Sequence, residues 1–273
     1  MNESTVAAPP PWEAKRRPRP TWGLYEGDQL APGRTVLRRI GGGRRYEAFL
    51  CWDEHRLAVL VAKVLRPDMA TDETALRDLE REAEFVARLA HPVVVRGFGA
   101  ELEGRFPQLV LEHLEGPTLD ELLSQQGPLA LEQILPLGLH MASALHYLAN
   151  EGVVHLDVKP SNVVMGGPPR LIDFSVARTT VDAAALRSCI GTDAYMPPEQ
   201  REPDGRLGPP ADIFGLAKTL SAGLPRRTPR ALSDVLEAGL DPEPGNRPTA
   251  REFAEALEPL VAALPQRMTL GRR

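Results

Sequence analysis

The hydrophobic period of this chain changes along its length, and that change limits the folds open to it. From Thr35 to Asp68 apolar residues alternate in short runs, TVLRRI, RYEAFLCWD and LAVLVAKVL, split by a glycine turn and by the polar turn Glu54-His55-Arg56. Alternation marks strands, because successive side chains point to opposite faces of a sheet. After Asp72 the spacing lengthens to a helical one in ETALRDLEREAEFVARLA, which stops at His91-Pro92, where the proline ring and its missing N–H end a helix. Two further strands, VVVRGFGAE and PQLVLEHL, follow. From Leu119 the helical period takes over: DELLSQQ, LEQILPLGLHMASALHYLANEG, ADIFGLAKTLSAGL, PRALSDVLEAGL and TAREFAEALEPLVAAL. Strands first and helices second, with no internal repeat, predict an α+β protein with a small β-rich lobe and a larger α-helical lobe.

Boundaries follow from the same pattern. Residues 1–30 begin with a basic, proline-rich leader (PPPWEAKRRPRPTW) that lacks apolar periodicity and is expected to be disordered. The folded domain is expected at 34–265, with lobes at 34–113 and 114–265, and a C-terminal tail at 266–273. Removal of the first 22 residues is expected to leave nucleotide affinity intact.

At 273 residues, 42% hydrophobic and 25% charged, the chain has room for two lobes around a cleft. Its net charge of -5 exerts no pull toward nucleic acid or anionic lipid. No segment approaches the roughly 18 continuous apolar residues of a membrane helix. Cys51 and Cys189 lie far apart with no ligand-like spacing, and are read as free thiols of a reducing cytoplasm. The expectation is a cytoplasmic protein with neither nucleic acid nor membrane as a partner.

The segment VVHLDVKPSNVVMGG gathers chemistry in a short loop behind a helix. Transfer of a γ-phosphoryl group to a hydroxyl needs positioning and charge neutralisation more than covalent chemistry. Asp157 can orient a hydroxyl and accept its proton, Lys159 can steady the moving phosphoryl, and Asn162 can hold a metal ion. Downstream, PPRLIDFSVAR delivers a second metal-binding carboxylate, Asp173, and Mg2+ prefers such oxygen ligands. In the first lobe, Gly41 and Gly43 of IGGGRRYEA let a backbone lie close over phosphates. Lys63 stands inside the apolar strand LVAKVL, where a charge is costly unless paired. Glu82, near the apolar face made by Leu79, Ala83, Val86 and Leu89, is its candidate partner.

With these motifs in this order the chain resembles the eukaryotic-like protein kinases of bacteria, more specifically the actinobacterial Ser/Thr kinases, from about Leu37 to Leu264. The resemblance implies the bilobal protein-kinase-like fold and an ATP-dependent Ser/Thr protein kinase using Mg2+, or Mn2+ in its place. Lys63 then matches the third-strand lysine that meets the α- and β-phosphates, and Glu82 its helix partner. Leu111 stands at the gatekeeper place, and Glu112-His113-Leu114 at the hinge. Ile40, Gly41, Gly42, Gly43, Ala48, Val61, Leu111, Glu112, Leu114 and Val164 are the implied nucleotide contacts. Asp157 and Lys159 are the implied catalytic pair, and Asn162 and Asp173 the metal ligands. Thr192, Glu199, Asp212 and Arg247 match later landmarks of the family. Implied partners are ATP and protein substrates, with the chain itself among the acceptors.

Four departures stand out. Tyr46 replaces the third glycine of the phosphate loop, which predicts a looser loop or weaker ATP binding. Leu156 replaces an arginine that usually reads an activation-segment phosphate, so Thr179, Thr180 and Ser188 lack that partner and activity is expected to be independent of their phosphorylation. Ser175 replaces a glycine after Asp173-Phe174, restricting the backbone there. The stretch after the helix that begins near Asp212 is short, so a substrate-docking helix is expected to be missing or reduced, and Ala217 replaces a glycine in the same helix. These departures favour, as alternatives, a nucleotide-binding pseudokinase or scaffold, or a small-molecule phosphotransferase.

Overall fold

The computed structural model describes residues 19–187, 190–202 and 204–265. The leader up to residue 18, Ser188, Cys189 and the tail from 266 lie outside the described residues.

The first lobe is a six-stranded antiparallel sheet with one helix against it. In chain order its elements are β1 (Gln29–Ala31), β2 (Arg34–Gly42), β3 (Tyr46–Asp53), β4 (Ala58–Leu65), α1 (Glu73–Arg88), β5 (Gly97–Glu101) and β6 (Gln108–Glu112). The sheet order is β1-β2-β3-β4-β6-β5. Helix α1 starts where the Asp72 carboxylate accepts the Ala75 N–H at 2.7 Å, a cap for an otherwise unpaired donor. It buries Ala75, Asp78, Leu79, Glu82, Ala83, Phe85 and Val86.

The second lobe holds α2 (Leu119–Gln126), α3 (Leu131–Asn150), β7 (Val153–Val154), β8 (Val163–Val164), β9 (Arg170–Leu171), β10 (Arg178–Thr179), α4 (Thr180–Ala185), α5 (Pro198–Arg201), α6 (Pro209–Ala222), α7 (Arg230–Gly239) and α8 (Ala250–Ala262). Strands β7 and β10 pair, as do β8 and β9. Helix α3 runs through the core, burying Ile134, Leu137, Met141, Ala144, Leu145 and Leu148. No helix lies in residues 223–229 between α6 and α7, which is where the docking helix was expected to be missing or reduced. Ala217 is accommodated by Gly239: a Cβ on that glycine would come within 2.9 Å of the Ala217 methyl. No helix of the described residues is long and apolar enough to cross a membrane.

The leader expectation needs correction at its C-terminal end. Residues 29–31 form β1, and Leu30 is buried in a cluster with Val36, Phe49, Cys51, Ala62 and Val64. Trp22 packs against the same cluster and meets Phe106 edge to face at 4.9 Å. Trp22, Leu24 and Leu30 form no sustained periodic run, so nothing local marks them as packed; all three meet the one cluster formed by the sheet. The strand expected at 93–101 begins only at Gly97. The residues before it serve the junction between the lobes: Leu171 N–H donates to the Val93 carbonyl at 2.7 Å, and Val95 N–H to the Leu171 carbonyl at 3.0 Å.

Candidate active site

Strand β4 carries Lys63 inward and α1 brings Glu82 to meet it. Lys63 Nζ lies 2.8 and 2.9 Å from the Glu82 carboxylate oxygens and 2.6 Å from Asp173 Oδ1. The Phe174 N–H donates to Glu82 Oε1 at 3.1 Å, so the glutamate spans both lobes. One cation thus serves two carboxylates. Burial would lower the Lys63 pKa, but the Asp173 and Glu82 charges beside it hold it well above the ordinary lysine range. Burial raises the Glu82 pKa despite Lys63. Asp173 goes the other way: burial opposes its charge, yet Lys63 holds the carboxyl far below the usual range. Of the two carboxylates Asp173 is the one open to a ligand, its side chain a third exposed where that of Glu82 is buried.

One turn before Glu82, Asp78 accepts hydrogen bonds from Arg45 of the glycine hairpin and from Arg81. Residues four apart share a helix face, so the same face of α1 grips the hairpin and the lysine.

Across the cleft, Asp157 is the hub of the loop after β7. Its Oδ2 accepts from Lys159 Nζ at 2.6 Å and from Asn162 Nδ2 at 3.1 Å, while the same Asn162 amide donates to the Asp157 carbonyl at 2.9 Å. Lys159 also donates to Thr192 Oγ1 at 2.6 Å. Asp157 Oδ1 is buried without a hydrogen-bond partner, an acceptor left open where a hydroxyl would have to be met. The Ile172 N–H donates to the Asn162 carbonyl at 2.9 Å, which sets Asp173 next to this loop.

The loop is held from below. Asp212 of α6 accepts the N–H groups of His155 and Leu156, each at 2.7 Å. Burial pushes the Asp212 carboxyl up to about 7 against the pull of those two N–H groups. Leu156 has φ 64° and Asp173 φ 66°, left-handed conformations that cost non-glycine residues energy and that the surrounding bonds must maintain. Glu199 and Arg247 form a buried two-fold pair at 2.6 and 2.8 Å, anchoring α5 to the helical lobe.

The glycine hairpin between β2 and β3 roofs the cleft. Gly42 has no substitute, since a Cβ there would stand 2.8 Å from the Tyr46 carbonyl. Gly41 pairs with Ala48, and Ala48 with Lys63, so these sit in adjoining strands beside Ile40, which is partly exposed. Val61 pairs with Leu111 and Leu60 with Glu112. The Glu112 side chain turns to Arg170 and accepts from the Arg96 N–H at 2.6 Å, and the Glu112 N–H donates to the Arg96 carbonyl at 3.0 Å. Val164 is buried at the junction of β8 with Thr118.

Tyr46 does not project into open cleft. Its ring belongs to the core that includes Leu65, Leu79 and Ala83, 4.5 Å from Lys63 Nζ, a cation–π distance. Burial pushes its phenol up to about 12, and the hydroxyl has no partner. Sequence reasoning singled out the substitution but not this seat beside the lysine. It also passed over Glu47, Arg66 and Asp78, polar residues 0%, 6% and 9% exposed, each with a partner 25 or more residues away in the chain.

An oxygen donor pair (Asn162, Asp173), a buried ammonium and an unpartnered carboxylate oxygen fit a polyphosphate with a hard divalent cation. Comparison with known proteins points the same way. The model of the protein kinase domain matches residues 34–233. The chain is 30% identical over 190 residues to serine/threonine-protein kinase PknB of Mycobacterium leprae, covering 66% of this chain and 30% of that protein. It is 31% identical over 245 residues to the probable serine/threonine-protein kinase PkwA of Thermomonospora curvata (88% of this chain, 32% of that protein). With serine/threonine-protein kinase PrkC of Bacillus subtilis it shares 28% over 232 residues, 83% of this chain and 36% of the relative. The matches thus take in 30 to 36% of these relatives' length.

Proposed function

Because the chain belongs to the protein kinase domain family, we propose that it is an ATP-dependent serine/threonine protein kinase that takes Mg2+ as its metal ion. The family uses ATP, a divalent metal and protein substrates. The observation that carries the reading is the meeting of two charge clusters across one cleft: Lys63–Glu82–Asp173 on one side and Asp157–Lys159–Asn162 on the other. Mg2+ is favoured over softer ions because the donors on offer, Asn162 and Asp173, are oxygens and few, which suits an ion that keeps part of its water shell.

Bound ATP supplies the phosphoryl group, and the chain's residues do the rest. Lys63, its ammonium oriented by Glu82, offers the cation for the phosphates. The open Oδ1 of Asp157 receives the proton of the acceptor hydroxyl as that oxygen bonds to phosphorus and ADP departs. Lys159, already 2.6 Å from Asp157 and from Thr192, supplies positive charge where negative charge accumulates. Asn162 keeps the Asp157 carboxylate from rotating. The acceptors are serine or threonine hydroxyls, including those of the chain itself.

Incubation with MgATP labelled at the γ-phosphate tests the reading, using a generic basic protein as acceptor and an Asp157→Ala protein in parallel. Label in acceptor or chain is expected to drop by about 10²-fold or more in the variant, the scale of a lost general base. Equal transfer in both proteins, or none in either, overturns the assignment.

A further inference from the structure

Residues 19–33 precede the stretch that matches the family, yet Pro20–Trp22 are laced to the strands that carry the glycine hairpin. Thr21 Oγ1 donates to Glu47 Oε1 at 2.6 Å, and the Trp22 N–H to Glu47 Oε2 at 3.0 Å. Glu47 is wholly buried and follows Tyr46 directly on the return strand of the hairpin. Arg39, on the outgoing strand, reaches the same carboxylate at 3.4 Å. The Trp22 indole N–H donates to the Leu65 carbonyl at 2.6 Å, two residues past Lys63 on β4.

Arg66 closes the circuit. Its backbone N–H donates to the Arg45 carbonyl at 2.8 Å, its Nε to the Gly43 carbonyl at 3.0 Å, and its Nη1 to the Pro20 carbonyl at 2.9 Å. One buried guanidinium therefore joins the upstream segment to the tip of the hairpin. Donors and acceptors sequestered in this way are costly to strand, so the contacts stand or fall as a set. The consequence is mechanical. A hairpin tip with three glycines has little stiffness of its own, and here its carbonyls at Gly43 and Arg45 are bolted to Arg66, which the upstream segment holds in turn.

We propose that Pro20–Trp22, Glu47 and Arg66 form a clasp that fixes the glycine hairpin over the phosphates of the bound nucleotide. These are positioning residues: none has to touch the nucleotide, and each acts by limiting where the hairpin backbone can go. The inference rests on the nucleotide-binding reading above and adds that triphosphate affinity depends on a segment lying before the family's matched region. Removal of the first 22 residues, expected from sequence to spare nucleotide affinity, therefore weakens it.

The test uses the full chain with Trp22→Ala and Arg66→Met, and with Trp22→Phe, which keeps an aromatic ring, though a smaller one, beside Phe106 and lacks the indole N–H. Affinities for MgATP and for adenosine are measured by calorimetry, and amide exchange is followed across residues 41–46. Trp22→Ala and Arg66→Met are expected to weaken MgATP binding about 5- to 20-fold, the scale of one or two lost buried hydrogen bonds. Adenosine, which makes no phosphate contact, should stay within about twofold, and exchange at 41–46 should accelerate. MgATP affinity within about twofold of the unaltered chain overturns the clasp. So does an equal loss for MgATP and adenosine, which would mean general loosening of the lobe. Should the first two variants not fold, Trp22→Phe decides: a several-fold selective loss for MgATP supports the clasp, and none overturns it. If the unaltered chain binds neither ligand, the kinase reading fails, while exchange at 41–46 in the variants still judges the clasp: acceleration there supports it and unchanged exchange overturns it.

Discussion

His155 shows how one side chain in this site constrains the behaviour of the whole chain in acid. It is fully buried, with Nε2 3.2 Å from the Ile172 carbonyl and Nδ1 accepting the Asp157 N–H at 3.3 Å. Its ring stands edge-on to Phe174 at 4.8 Å. That pair of bonds requires the neutral tautomer with hydrogen on Nε2, because a proton on Nδ1 would face another N–H. Burial lowers its pKa from 6.5, Lys159 adding to the effect and the Asp157 and Asp173 charges opposing it. The unfolded chain therefore takes up a proton below pH 6.5 that the folded chain refuses. The His155 contribution is full above that pH and is lost as pH falls through the window down to the folded pKa, while Asp212, held at about 7 in the fold, contributes with the opposite sign over the same range. The slope for one proton is at most about 1.4 kcal/mol per pH unit. Urea unfolding between about pH 5 and 7.5 should give stability that rises less with pH in His155→Gln, which retains a donor and an acceptor but does not titrate, than in the unaltered chain. Some slope remains, since burial lowers His91 as well. An identical slope in the variant would place the acid sensitivity elsewhere.

Val176, Ala183, Leu186 and Ile190, from the stretch that follows Asp173, are seated by apolar packing. Leu156, in the place of the phosphate-reading arginine, lies in a cluster with Val154, Ala183, Leu207 and Ala211, against which Val176, Leu186 and Ile190 pack. Thr179 is already engaged: its hydroxyl caps α4 by accepting the Asp182 N–H at 3.1 Å and donates to Asp182 Oδ2 at 2.7 Å. A phosphate there would stand against that carboxylate. Arg45 and Arg81, on the hairpin and on α1, are answered by Asp78. Alanine at Thr180 should leave the transfer rate within about twofold. Alanine at Thr179 should do the same while costing about 1 kcal/mol in the cap. Leu156→Ala should be far more damaging, about 2–5 kcal/mol of stability, with transfer reduced as the segment loosens. Rates that collapse in the threonine variants alone would refute this account. Strands β2, β3, β4 and β6 and helices α1, α2, α3, α6, α7 and α8 were legible in sequence because each carries several turns of its period. Elements as short as β1, α4 and α5 are too brief to show one. In the site, Lys63 and Glu82 could be paired because a charge inside an apolar strand demands a partner. Glu47 and Arg66 gave no such signal: Arg66 meets Pro20 across 46 residues, and only the folded sheet brings them together.

Between the lobes the molecule keeps a charge imbalance at the point where it would work. The lobes meet through the hinge, the Val93–Leu171–Val95 bonds and the contacts of Arg170 Nη2 with the Val94 carbonyl and Glu112. The Lys63–Glu82–Asp173 group does not balance, having one cation for two carboxylates. A structural ion pair would be expected to balance, whereas a site awaiting a divalent cation has reason to keep a surplus carboxylate. The two interpretations predict different magnitudes for two substitutions. Lys63→Met leaves both carboxylates without their cation, and breaking a buried pair in this way costs about 3–5 kcal/mol. Asp173→Asn removes the surplus charge; because this side chain is a third exposed, the change in stability should stay within about 1 kcal/mol of the unaltered protein, while label transfer from MgATP disappears. Denaturant unfolding and label transfer on the same two preparations decide between them. A loss of stability in Asp173→Asn as large as in Lys63→Met would make the group a fastener between the lobes. Retained stability with abolished transfer would show that the imbalance is held for the ligand, and that the fold supports Asp173 in its left-handed conformation for that purpose.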